Sequence, residues 1–142
     1  MPLWLVLILI YQVKHFIADY PLQGRYMLGK FLPGWGFVLP LLAHVAVHGV
    51  FTLAITSFLV GWWSIPLALF DATIHALMDR AKASPRYLGR FKPLTAETYP
   101  TATPVQLKGN TYFWWSLGLD QMVHHLTHYA VIWFCTTHMV GK

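Results

Sequence analysis

The sequence has little charge, few acids and a single thiol. Asp, Glu, Lys and Arg make up 11% of its 142 residues, where a soluble domain carries about 25%. That shortage excludes an ordinary water-soluble enzyme and a disordered tail. One cysteine, Cys135, excludes an intramolecular disulfide framework and a thiolate zinc site. No internal repeat or low-complexity tract is present. What abounds is apolar: 56% of residues are hydrophobic and 16% aromatic, with a mean hydropathy of +0.49. The length limits the chain to one domain. Ten Lys and Arg against five acids give a net charge of +5. In so apolar a chain, that excess points to cytoplasmic loops near anionic lipid and away from nucleic acid. The composition predicts a small polytopic membrane protein.

A membrane-crossing helix needs about 20 mostly apolar residues. Four segments qualify, at about 2–20, 36–60, 62–79 and 111–139. They predict an all-α fold, an integral membrane four-helix bundle forming a single transmembrane domain over 1–142. The first segment lacks a basic leader region and a small-residue cleavage site, so it reads as a span and not a signal peptide. Trp35, Trp62, Trp63, Trp114, Trp115 and Trp133 fall near span ends, as an aromatic belt would place them. A tight turn at Gly61 makes spans two and three an antiparallel hairpin. The stretch at about 80–110 is the only long polar connection. Its Pro85, Pro93, Pro100 and Pro104 preclude a continuous helix, and it reads as an interfacial loop. Arg25 and Lys30 lie in the first loop, and Arg80, Lys82, Arg86, Arg90, Lys92 and Lys108 in the long one. The positive-inside rule puts both loops in the cytoplasm and both termini outside it.

Glu97 is in the long loop, but the other four acids lie in or at the ends of spans. Each has a histidine four positions away: Asp19 with His15, Asp71 and Asp79 with His75, and Asp120 with His124. His44 and His48 form a fifth such pair. Residues at i and i+4 share one helix face. Four acids would all find a histidine by chance with a probability on the order of 10⁻⁴. An aspartate at a span centre costs about 2.5–3.5 kcal/mol, so these acids need a metal, a shared proton or a basic partner. All the pairs fall at similar depth, in the cytoplasmic half. Polar pairs projecting inward at one level are how di-metal bundles are built.

The candidate ligands are therefore His15, Asp19, His44, His48, Asp71, His75, Asp79, Asp120 and His124. That set suits one or two divalent ions, a pair being about 3.5–4 Å apart. Imidazole and carboxylate without thiolate suit Zn, Mn or Fe. Asp79 or Asp120 could accept a proton from metal-bound water. Lys30, Lys82 and Arg80 could hold an anionic head group, and Gln23 and Gln121 could orient it. His128 and His138 read as packing residues that hydrogen-bond between helices. His125 is rotated about 100° from His124 on the helix. Trp114 and Trp115 read as interface anchors and Cys135 as packing.

The residues HFIADYPLQ followed by Lys30, then HVAVH, DATIHALMDRAK and LDQMVHH resemble a bacterial and phage membrane family, catalogued as domain of unknown function 3307. The resemblance covers most of the chain outside the long loop. It implies an integral membrane protein with a polar centre inside the bilayer. It also suggests a loose similarity to bacterial inner-membrane proteins described as metal-dependent hydrolases. The reaction expected is hydrolysis of a phosphorylated lipid or amphiphile at the cytoplasmic leaflet. The expected partners are membrane lipids, with a homo-oligomer left open. Two alternatives stand beside it. Asp and His relays also mark ion pathways, which fits a metal-ion or proton transporter. HVAVH and HHLTH look like the histidine boxes of di-iron membrane oxidases and hydroxylases.

Overall fold

The computed structural model of the chain describes residues 1–32, 34–84, 87–91 and 101–139. Pro85, Arg86, Lys92, Pro93, Glu97, Pro100 and Lys142 lie outside the described residues, as does the side chain of Arg90. Among the described residues, all regular structure is helical. Helix α1 spans Leu3–Asp19, α2 Val38–Val60, α3 Ser64–Ala83, α4 Pro104–Lys108 and α5 Thr111–Thr137. Short 3-10 turns cover Met27–Phe31, Gly61–Trp63 and Leu88–Phe91.

Local chemistry sets these boundaries. Pro40 and Pro66 fall in the first turns of α2 and α3, where backbone N–H groups have no helical partner to lose. Gly61 ends α2 at a φ of 57°, a conformation that favours glycine. The hairpin predicted there is present. Asn110 caps α5 by accepting from the Phe113 N–H. The long connection differs from its reading as a loop over 80–110. Helix α3 continues to Ala83, so Arg80 and Lys82 lie in its last turn, where cations complement the helix dipole. Pro104 opens α4 at the position that tolerates it, behind a capping box made by Thr103 and Gln106.

Helix α2 packs along α3, α3 along α5, α5 along α1 and α1 along α2, so the four long helices close a ring. The interior of that ring is layered. At one end lies an apolar layer of Leu7, Tyr11, Val60, Val131, Ile132 and Cys135. Beyond it the interior turns polar. His44, His48, His75, His124, His128, Asp71 and Asp79 are buried, as are Lys14, Lys30, Thr52 and Thr56. The exterior is the reverse, with Phe58 93%, Trp35 85% and Trp133 65% exposed. Among the described residues, one stretch, Val38–Ala83, is long and apolar enough to cross a membrane; it contains α2, the Gly61 turn and α3.

Candidate metal centre

The centre begins with a four-residue repeat on α2. His44, His48, Thr52, Thr56 and Val60 are all buried, because residues at i and i+4 lie one above the other on a helix face. On α3 the same spacing brings Asp71, His75 and Asp79 inward. On α5 it does so for Asp120, His124 and His128. Helix α1 contributes His15 to the interior and, at its C-terminal end, Asp19.

Four of these side chains converge. Nε2 of His44 lies 3.1 Å from Nε2 of His75. Asp19 Oδ1 is 3.3 Å from His44, 3.1 Å from His48 and 3.6 Å from His75, each at Nε2. Bonds of about 2.0–2.1 Å around a tetrahedral ion set ligand–ligand edges of about 3.3–3.4 Å. Asp19, His44, His48 and His75 could therefore hold a metal ion. The Nδ1 atoms of His44, His48 and His75 have no hydrogen-bond partner, so the polar contacts of these rings run through Nε2. The rings pack tightly: His48 and His75 have centroids 3.7 Å apart, and His75 stacks on His124 at 3.9 Å.

His75, Asp79 and His124 form a second group that could hold an ion. Asp79 Oδ2 is 3.5 Å from His44 Nε2 and 2.7 Å from Lys30 Nζ. Lys82 Nζ lies 3.4 Å from Asp79 Oδ1 and 2.8 Å from Asp120 Oδ2. Asp120 Oδ1 is 3.4 Å from His124 and has no hydrogen-bond partner. Burial pushes the Lys30 ammonium below the usual lysine range, and Asp79 beside it pulls it back. Lys30 arrives on the 3-10 turn Met27–Phe31. There a Cβ on Gly29 would lie 2.9 Å from Pro40 Cγ, so glycine lets the turn seat against α2.

The remaining candidates stand elsewhere. Asp71 belongs to neither group: Lys14 Nζ donates to its Oδ2 at 2.6 Å and Thr52 to the same oxygen. His15 Nε2 meets Gln121 Oε1 at 3.0 Å and Asp19 Oδ2 at 3.2 Å, so Gln121 positions His15. Gln23 is partly exposed in the turn after α1. The Arg80 guanidinium packs over the Phe37 ring, 3.7 Å from its centroid. His128, read as packing, lies 3.3 Å from Lys14 Nζ and 3.7 Å from Asp71 Oδ1, both at its Nε2. His138 stacks on Phe134 at 4.3 Å, and His125 meets Gln12 at 3.3 Å. Sequence reasoning missed Lys14. Its signal was a lone cation inside LILIYQVKH, which demands a buried partner.

Comparison with protein-family models, with curated proteins and with solved structures found no match to this chain.

Proposed function

We propose that this chain is a multi-pass inner-membrane protein with a metal-dependent hydrolase centre, acting on a phosphorylated lipid or amphiphile at the cytoplasmic leaflet. The same reading keeps both termini outside the cytoplasm and the bacterial or phage family named above as the expected kin. The observation that carries the proposal is the convergence of Asp19, His44, His48 and His75 at ligand spacing, beside lysines held on Asp79 and Asp120.

Membrane placement draws support from the inverted distribution of side chains. Large apolar residues cover the exterior while Lys, Asp and His fill the interior. Monomeric soluble proteins rarely expose apolar patches beyond a few hundred Å². At a rise of about 1.5 Å per residue, α2 with 23 residues is about 35 Å long. The hydrocarbon core measures about 30 Å.

A divalent ion at this site would lower the pKa of a bound water and polarise the scissile phosphoryl group. The chain's own residues supply the rest. A proton from that water would pass to a carboxylate, a role for which Asp120 Oδ1, without a hydrogen-bond partner, is suited. The same carboxyl group would return it to the leaving alcohol's oxygen as the water oxygen bonds to phosphorus and the phosphorus–oxygen bond to that alcohol breaks. Lys82 has three N–H donors and two carboxylate partners, Asp79 and Asp120, so one donor remains for a phosphoryl oxygen. The side chains of Lys82 and Asp19, 18% and 14% exposed, mark the side where substrate reaches the centre.

The test is phosphate release from phosphatidic acid and polyprenyl monophosphates in mixed micelles, with His75→Ala and Asp120→Asn alongside wild type. Loss of release in both, with helicity and melting retained, is the expected result. Full activity in both variants sinks the proposal. A second reading, an ion relay, is favoured by the polar column running on to Lys14, Asp71 and His128. The apolar layer of Leu7, Val60, Val131, Ile132 and Cys135 then closes that column, which weighs against conduction. Ion flux into liposomes that depends on His75 would reverse the order.

A further inference from the structure

The charges inside the ring can be counted. Asp19, Asp71, Asp79 and Asp120 bring four negative charges. Lys14, Lys30 and Lys82 bring three positive ones, at 2.6–2.8 Å from Asp71, Asp79 and Asp120 respectively. Each of those three carboxylates thus has its own ammonium. The ion pairs of Asp19 are all with histidines. Among the described residues, with neutral imidazoles, the interior carries a net charge of minus one, and that charge sits among His44, His48 and His75.

One divalent ion there leaves a net charge of plus one, which a single hydroxide or one substrate oxygen neutralises. Two divalent ions leave plus three in a buried interior, where uncompensated charge is strongly disfavoured. The geometry agrees with the count. Asp79 Oδ2 lies 3.5 Å from His44 Nε2, 3.7 Å from His75 Nε2 and 2.7 Å from Lys30 Nζ. One carboxylate thus touches both the ligand cluster and an ammonium. Lys82 joins the other oxygen of Asp79 to Asp120. In addition, His75 is common to both candidate groups, so they do not offer two independent sets of ligands.

Resting on the metal-centre reading above, we infer that the centre is mononuclear: one divalent ion binds Asp19, His44, His48 and His75, and the ammonium groups of Lys30 and Lys82 occupy the place of a second ion. The nucleophile and the electrophilic stabilisation then come from the same ion. The lysines act as fixed cations that need no loading from solution. Four protein ligands would fill a tetrahedral shell, so water would enter as a fifth ligand, the five-coordinate state that catalytic zinc sites sometimes reach in the transition state.

The deciding experiment is elemental analysis of the detergent-purified full chain, saturated with zinc and freed of unbound metal. Wild type is expected to hold about one ion per chain and His75→Ala almost none. In Lys30→Met/Lys82→Met the released Asp79 and Asp120 are expected to take up a further ion, raising the ratio to about two. Lys82→Met alone, at the more exposed lysine, covers the case in which the double variant does not fold. About two ions in wild type would overturn this inference while leaving the hydrolase reading intact. A ratio that stays at one in the folded lysine variants would overturn the substitution of lysine for metal. No bound ion in any form would overturn both readings.

Discussion

His75 stands in both groups of converging ligands and stacks on His124, so its removal reaches further than that of any neighbour. Loss of a supporting residue around a metal typically lowers affinity 10–100-fold, and loss of a ligand exceeds that. His75→Ala is expected to lower metal affinity by more than about 100-fold, measured by competition with a chelating dye. Lys14 is the opposite kind of residue, since it supports the fold and not the ion. Lys14→Met leaves the Asp71 carboxylate buried without its ammonium. Breaking such a pair costs about 3–5 kcal/mol, to be read as a lowered melting temperature in detergent. Lys14→Met/Asp71→Leu removes both charges and is expected to recover most of that loss with metal content unchanged. A double variant as unstable as the single one would show that the pair does more than balance charge. The i,i+4 spacing made Asp19, His44, His48 and His75 legible in the sequence. It also drew attention to partners within a helix. The shortest ion pairs of Asp71, Asp79 and Asp120 are instead with lysines on other turns or elements, 57, 49 and 38 residues away. No local pattern announces pairs at such separations.

The element that decides how lysine reaches the centre is small. The 3-10 turn Met27–Phe31 carries Lys30 to Asp79 and rests against Pro40 through Gly29. Gly29→Ala would push the turn away from α2, an overpacking that costs about 1–3 kcal/mol. The expected outcome is reduced turnover with the metal ratio unchanged. Loss of metal in this variant would mean that the turn also holds the ligand helices in place. The sequence marked Lys30 as a cation of interest but gave the turn itself no signature, because MLGKF carries neither helical nor strand periodicity. The long helices were legible because apolar runs of their length have few alternatives. The end of α3 was not, because its last turn is basic and amphipathic, and charge that follows an apolar run reads equally well as loop.

At the scale of the whole molecule, the interior is polar and the surface apolar. On the membrane reading, the exposed Trp4, Trp115 and Trp133 face lipid or its interface. Their fluorescence is expected to be quenched substantially by vesicles whose acyl chains carry bromine. Emission unaffected by brominated lipid would remove the protein from the bilayer. The buried Cys135, 1% exposed, is expected to resist maleimide until the ring is unfolded. Labelling at the rate of a free thiol in folded protein would show that the apolar layer opens.

The ion pair between Lys14 and Asp71 also constrains how such a molecule is made. Its halves are separated by 57 residues, and synthesis delivers Lys14 first. On the membrane reading, α1 meanwhile carries an ammonium with no carboxylate to meet, and lipid is a poor place for it. Helix α1 therefore cannot settle on its own. It must stay at the water boundary or be sheltered by the insertion machinery until α3 emerges. On the membrane reading, α1 then cannot take its place before α3 does, and truncating the chain before residue 71 should leave α1 unable to stay in the bilayer.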